Sequence, residues 1–129
     1  MVTERQRLEF KARLKERFCD LREEIRLELL QSDQEHFIDL AGQVHDLEEE
    51  SVADLLVDID LAIIDLHVAE IRAIDRALIR IAEDEYGTCT DCGTEIDVER
   101  LEANLTATRC TDCQDAYERS HEGKHPRTI

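Results

Sequence analysis

Four cysteines fall in two pairs, Cys89-x-x-Cys92 and Cys110-x-x-Cys113, with seventeen residues between them. A two-residue gap lets both thiolates of a pair face one ion from a tight turn. Gly93, directly after Cys92, suits the backbone that such a knuckle demands. Two pairs complete a tetrahedral sulfur shell, the closed geometry of structural zinc, at a spacing within the known zinc range. Zinc is the expected ion; a rubredoxin-like iron site is the alternative metal reading, and the paired arrangement weighs against disulfides and a thioredoxin-type redox pair. Four thiolate ligands leave no open position for water or substrate, so the site is poorly suited to metal catalysis. Its expected job is to fold the segment from Gly87 to Cys113, which is too short to hold a core alone.

The remaining chemistry-bearing residues do not assemble. Cys19 sits beside Phe18, near an apolar helix face, and reads as a small, partly buried hydrophobe. His36, His45, His67, His121 and His125 form no site and read as solvated. There is no Gly-rich phosphate loop and no nucleophile elbow. Carboxylates are abundant, but nothing singles out a catalytic pair. The chain is not expected to be an enzyme.

The elements that must carry the cysteines are helical. Leu14, Phe18, Leu21, Ile25 and Leu29 step by four, three, four and four, as one helix face requires. Phe37, Leu40, Val44 and Leu47 continue the step. The pattern predicts one helix from about Thr3 to Ala41, with Gly42 as its stop signal; Gln31-Ser32-Asp33 is the place where it could break in two. A second helix is expected from Ser51, where Ser51 and Asp54 approach a capping box, to Tyr86-Gly87. Val57, Leu61, Ile64, Val68, Ile71 and Leu78 form a coiled-coil seam with Asp75 as its one mismatch. Ile59, Ile63, Leu66, Ile74 and Ile81 form a neighbouring stripe. Two such arms fold back most simply as an antiparallel hairpin; a parallel dimer through the second helix is the competing arrangement. The fold class is therefore mainly α: a long antiparallel helical hairpin (coiled coil) over residues 1–86 with its tip near 43–50, then a small four-cysteine zinc finger with a short C-terminal helix over residues 87–129.

The chain has 129 residues, with 16 Lys and Arg against 32 Asp and Glu, a formal net charge of −16. Nucleic-acid affinity comes largely from cationic side chains, so the general surface is unsuited to a phosphate backbone. Aromatic residues make up 4%, with no Trp and one Pro, which argues against a base-stacking platform and a turn-rich β sandwich. The N-terminus lacks the apolar core of a signal peptide, and no apolar run approaches a membrane span. A cytoplasmic protein is expected. The charge is unevenly spread: between Arg26 and Arg72 there are thirteen acids and no Lys or Arg. A one-sign surface costs stability through self-repulsion, and an acidic finger entering a basic cavity on a partner would explain that cost. A solvated acidic face is the bland alternative.

The segment Tyr86-Gly87-x-Cys89-x-x-Cys92-Gly93-x-x-Ile96 resembles the zinc-finger entry of the DksA/TraR family. Arg100-Leu101-Glu102-Ala103 and Thr106-Ala107-Thr108-x-Cys110-x-x-Cys113-Gln114 continue the resemblance, and Glu83-Asp84-Glu85 ahead of it also looks like the family. Leu105 stands where members often have Pro. The resemblance implies a bacterial regulator that binds RNA polymerase rather than DNA, with a coiled coil entering the secondary channel and an acidic tip approaching the active centre. Some members act together with ppGpp. The family tip pattern Asp-x-x-Asp-x-Ala falls on Asp46, Glu49 and Ser51, of which only the first is identical. The other function class left open is a zinc-finger protein–protein interaction module that does not act on RNA polymerase. Sequence-specific DNA binding is disfavoured, because Arg100, Arg109 and Arg119 make no basic stripe.

Overall fold

The computed structural model describes residues 2–31, 35–56 and 62–120. Helix α1 (Glu4–Leu30) opens on a reciprocal cap. The Thr3 side chain accepts from the Gln6 amide at 3.1 Å, and the Gln6 side chain accepts from the Thr3 amide at 2.9 Å. Phe10, Leu14, Phe18, Leu21, Ile25 and Leu29 are buried on one face, as their spacing requires. Helix α4 (Ala62–Ala82) packs on that face and buries Ile64, Ile71, Ile74, Ala77 and Ile81. Glu24 lies beside His67, Arg17 on Glu70, and Arg7 on Asp84. That order fixes the pair as antiparallel. The α1–α4 pair is the helical hairpin, and the four-cysteine segment follows it.

The chain between the arms departs from a simple rod. The first helix does not reach Ala41. It ends at Leu30 with Gln31 as its C-cap, Ser32 and Asp33 lie outside the described residues, and α2 (Glu35–Val44) packs back on α1. Gly42 is inside α2 and stops nothing; a Cβ there would meet open space. Helix α3 (Glu49–Leu55) packs on α4. Its N-cap is Glu48, with no side-chain cap bond, so Ser51 lies within the helix rather than at its start. Leu40, Ala41, Val44, Val52, Ala53 and Leu56 are all buried. Folding back gives these residues α1 and α4 to pack on, and helical stability in proteins comes mainly from such apolar packing. Seam positions Val57 and Leu61 and stripe position Ile59 lie outside the described residues. Leu66, assigned to the apolar stripe, is 72% exposed.

The α2–α3 turn lies alongside α1. Arg22 donates to the Leu47 carbonyl at 2.9 Å, and its guanidinium sits over the Phe18 ring, 5.2 Å from the centroid. Helix α4 ends at Ala82, earlier than Tyr86-Gly87. Asp84 then turns the chain with a φ of 60°, a left-handed conformation that Asp tolerates better than most residues. The amides of Glu85 and Tyr86 both donate to the Arg80 carbonyl, at 2.8 and 3.2 Å. The Arg80 guanidinium in turn donates to the carbonyls of Glu85 and Thr88, and Asp84 pairs with Arg7 of α1. Two short helices complete the described chain: α5 (Val98–Ala103) and α6 (Thr111–Ser120).

Candidate metal centre

The first knuckle is a tight loop held by backbone bonds. The Cys89 amide donates to the Thr94 carbonyl at 2.7 Å, Gly93 to Cys89 at 3.0 Å, and Ile96 to Gly87 at 2.7 Å. Gly87 and Gly93 take φ values of 89° and 76°, which glycine adopts without a Cβ penalty. A Cβ on Gly87 would also lie 2.7 Å from a methyl of Val2, so this turn packs directly on the residue ahead of α1. The second knuckle opens α6, where the Cys110 carbonyl accepts from the Gln114 amide at 2.9 Å. The Thr90 amide donates to the Thr108 carbonyl at 2.8 Å and ties the two knuckles together. Beneath them Ile96, Leu101 and Ala107 are buried. The Tyr86 hydroxyl donates to the Leu105 carbonyl at 2.8 Å, and its ring centroid lies 5.7 Å from that of Phe10 on α1.

The structure brings all four predicted cysteines together. Their sulfurs lie within 4.8 Å of one another, with Cys92 and Cys110 Sγ 3.8 Å apart. Cys89 is buried, Cys110 and Cys113 are half-buried, and Cys92 is exposed. Burial opposes ionisation of Cys89, but hydrogen bonds from the backbone of Cys110, Cys92 and Asp91 outweigh it and bring the thiol down to about 6. The Thr94 hydroxyl, 2.9 Å from Cys92 Sγ, lowers that thiol. Cys113 moves the other way, raised by the sulfurs of Cys110, Cys92 and Cys89. Such a cluster resists carrying four negative charges unless a cation sits among them, and a bound divalent ion reverses that balance. Convergent soft donors, four in number and backed by amide and hydroxyl hydrogen bonds, fit a tetrahedral Zn²⁺ ion.

Other expectations resolve differently. Cys19 is exposed on α1 rather than partly buried, because it lies just off the apolar face that holds Phe18. His45 is exposed, as expected, beside Asp46. His67 is not solvated: its side chain is 17% exposed, its Nε2 lies 3.5 Å from Glu24, and its Nδ1 is buried with no hydrogen-bond partner. Packing of α4 on α1 covers it. His121 and His125 lie outside the described residues. Asp46, Glu49 and Ser51 share the α2–α3 turn and the first turn of α3, with Asp46 and Ser51 exposed and Glu49 half-buried. They stand beside the hairpin rather than beyond its end, because Arg22 holds Leu47 there. Asp75, the seam mismatch, faces this segment. Burial raises its carboxyl pKa, Glu49 and Asp54 add to the rise, and Arg76 opposes it. An ion pair between Asp91 and Arg109, each next to a knuckle cysteine, went unread in the sequence. Opposite charges beside the two CxxC pairs were the available signal.

A helical hairpin bearing a four-cysteine finger at its base is the class that fold and site define. Residues 84–119 match the prokaryotic dksA/traR C4-type zinc finger. Over 44 residues the chain is 41% identical to the RNA polymerase-binding transcription factor DksA of Escherichia coli (strain K12), and 43% identical to that of Buchnera aphidicola subsp. Acyrthosiphon pisum. That stretch is 34% of this chain and only 29% of the length of either relative. A solved structure, transcription factor DksA2 from Pseudomonas aeruginosa, covers 95% of this chain with 89% of its own, at a TM-score of 0.62 and 23% identity. The chain is DksA-like: similar in sequence at the finger and in fold along nearly its whole length. Among the described residues no helix is long and apolar enough to cross a membrane.

Proposed function

We propose that this chain is a transcription regulator that binds RNA polymerase directly, with Zn²⁺ held by Cys89, Cys92, Cys110 and Cys113 as a structural ion. The observation that carries the reading is the union of a dksA/traR-type finger with a DksA2-like fold along one chain. Relatives over the finger are named RNA polymerase-binding transcription factors. The metal stabilises the base of the molecule and does no chemistry, since its four ligands leave no open position. The chain acts by binding, not as an enzyme, and works where the polymerase is, in the cytoplasm.

The contact surface is the acidic α2–α3 segment, entering the secondary channel of the polymerase. Residues 39–54 hold six acids and no Lys or Arg, and Asp46, Glu48 and Glu50 are exposed. A basic cavity relieves the mutual repulsion of such a segment and speeds encounter at low salt. Pull-down of core RNA polymerase tests the reading. Capture is expected with the wild type and should be lost on reversal of Asp46, Glu49 and Glu50 to Lys; capture that survives the reversal removes the acidic segment from the interface. Transcription assays with and without ppGpp test whether the alarmone acts on the complex.

A second reading is a protein–protein module that does not act on polymerase, and the position of the acidic turn beside the hairpin favours it. Absence of capture by core polymerase, with zinc bound and helices intact, would select it.

A further inference from the structure

One side chain outside the sulfur shell joins three parts of the finger. Arg109 directly precedes Cys110. Its Nε donates to Asp91 Oδ2 at 2.8 Å, and Asp91 stands between Cys89 and Cys92. Its guanidinium carbon lies 4.0 Å from the centroid of the Tyr117 ring on α6. Its carbonyl accepts from Nε of Arg100 on α5 at 2.9 Å. None of these contacts involves a sulfur.

We propose that Arg109, with Asp91 and Tyr117, is a metal-independent clasp that keeps the two CxxC knuckles facing each other, so that the finger can lose and regain Zn²⁺ without unfolding. The proposal rests on the zinc reading of the site. A small metal-folded module ordinarily loses its order with its ion, and reloading must then order both knuckles again. A clasp that survives metal loss removes part of that cost. The side chains of Arg109 and Asp91 are 26% and 44% exposed, so the ion pair is worth a factor of a few, and the cation over the ring about as much. Together they favour facing knuckles by about ten-fold. Metal binds only the facing arrangement, so apparent affinity falls by the same factor when the clasp is lost. Arginine is required in both contacts, because a planar guanidinium pairs with a carboxylate and lies flat on a ring at once.

The test uses the full chain, Zn²⁺ alone as ligand, a competing chromogenic chelator, and amide NMR spectra of the metal-free protein. Arg109→Gln is expected to weaken zinc about ten-fold and to collapse the dispersed amide signals of residues 87–113 in the metal-free state, with helix content unchanged. Asp91→Asn, a milder change that keeps the stack, should weaken zinc a few-fold. Combining the two should be no worse than Arg109→Gln alone, because both remove one interaction. Arg109→Lys should fall between wild type and Arg109→Gln. Affinity of Arg109→Gln within two-fold of wild type overturns the proposal, as do independent, multiplying losses in the double variant. A wild-type metal-free finger as disordered as the Arg109→Gln variant does so too. If the wild type holds no zinc, the zinc reading fails, while the metal-free spectra still decide the clasp.

Discussion

Tyr86 couples the hairpin to the finger, and its two halves can be separated by mutation. The residue is 8% exposed. Tyr86→Phe keeps the ring against Phe10 and deletes only the hydroxyl that donates to Leu105. Losing that bond costs about 1 kcal/mol, and about 2 kcal/mol if the Leu105 carbonyl finds no new partner. Tyr86→Ala also removes the ring and should cost about 3–5 kcal/mol. For a chain of 129 residues, a loss of 1 kcal/mol lowers Tm by roughly 3–6 °C. Thermal unfolding of the zinc-loaded protein, followed by far-UV circular dichroism, reads both. The hydroxyl also predicts a pH dependence. Burial raises the phenol to about 12 from its ordinary value near 10, and Arg13 works against the rise. The folded state therefore holds this proton more tightly than the unfolded chain. The stabilisation is complete below about pH 10, declines as pH rises towards 12, and is absent from Tyr86→Phe. A Phe variant that melts with the wild type, or an Ala variant no worse than Phe, would refute this account of the joint.

Zinc removal with a chelator should lower amide protection in residues 87–113 more than in the α1–α4 pair, with the dispersed finger signals and most helix signal retained; Cys89→Ser and Cys113→Ser should each lower zinc content by mass spectrometry. Leu21 is fully buried on α1, so Leu21→Ala should cost about 2–5 kcal/mol in urea unfolding, against less than about 0.5 kcal/mol for exposed Leu8→Ala. The Arg17 guanidinium, 2.6 and 3.0 Å from the two Glu70 oxygens, holds that carboxyl below its usual range against the opposing effect of burial. Its stabilisation is present above the unfolded value near ~4.3 and is lost as pH falls through the lower folded value. Both side chains are about 40% exposed, so the contribution is only ~0.5–1 kcal/mol, and Glu70→Gln should remove that part of the acid slope.

The legible parts were those that local rules govern. Leu14, Phe18, Leu21, Ile25 and Leu29 follow helix periodicity and are all buried, and the CxxC pairs carry their ligand geometry in their spacing. The missed parts depend on partners distant in sequence. Gln31-Ser32-Asp33 and Gly42 offered two stops, and the packing of Leu40, Ala41 and Val44 back on α1 selected the earlier one. His67 is covered only because α1 lies across it. Asp75 is half-buried because α3 returns to α4. Arg109 and Asp91 are eighteen residues apart, and only the folded finger makes them neighbours.

The joint at Arg80 makes one mechanical unit of the finger and α4. Its carbonyl receives two amides from beyond the helix end, and its guanidinium reaches forward to Glu85 and Thr88. A swivel would have to break bonds in both directions at once. At 1.5 Å per residue, α4 is a lever ~30 Å long, with the finger as its handle. A protein that grips and tilts the finger therefore loads α4, and with it α1 and α3, which pack on it, without touching any of them.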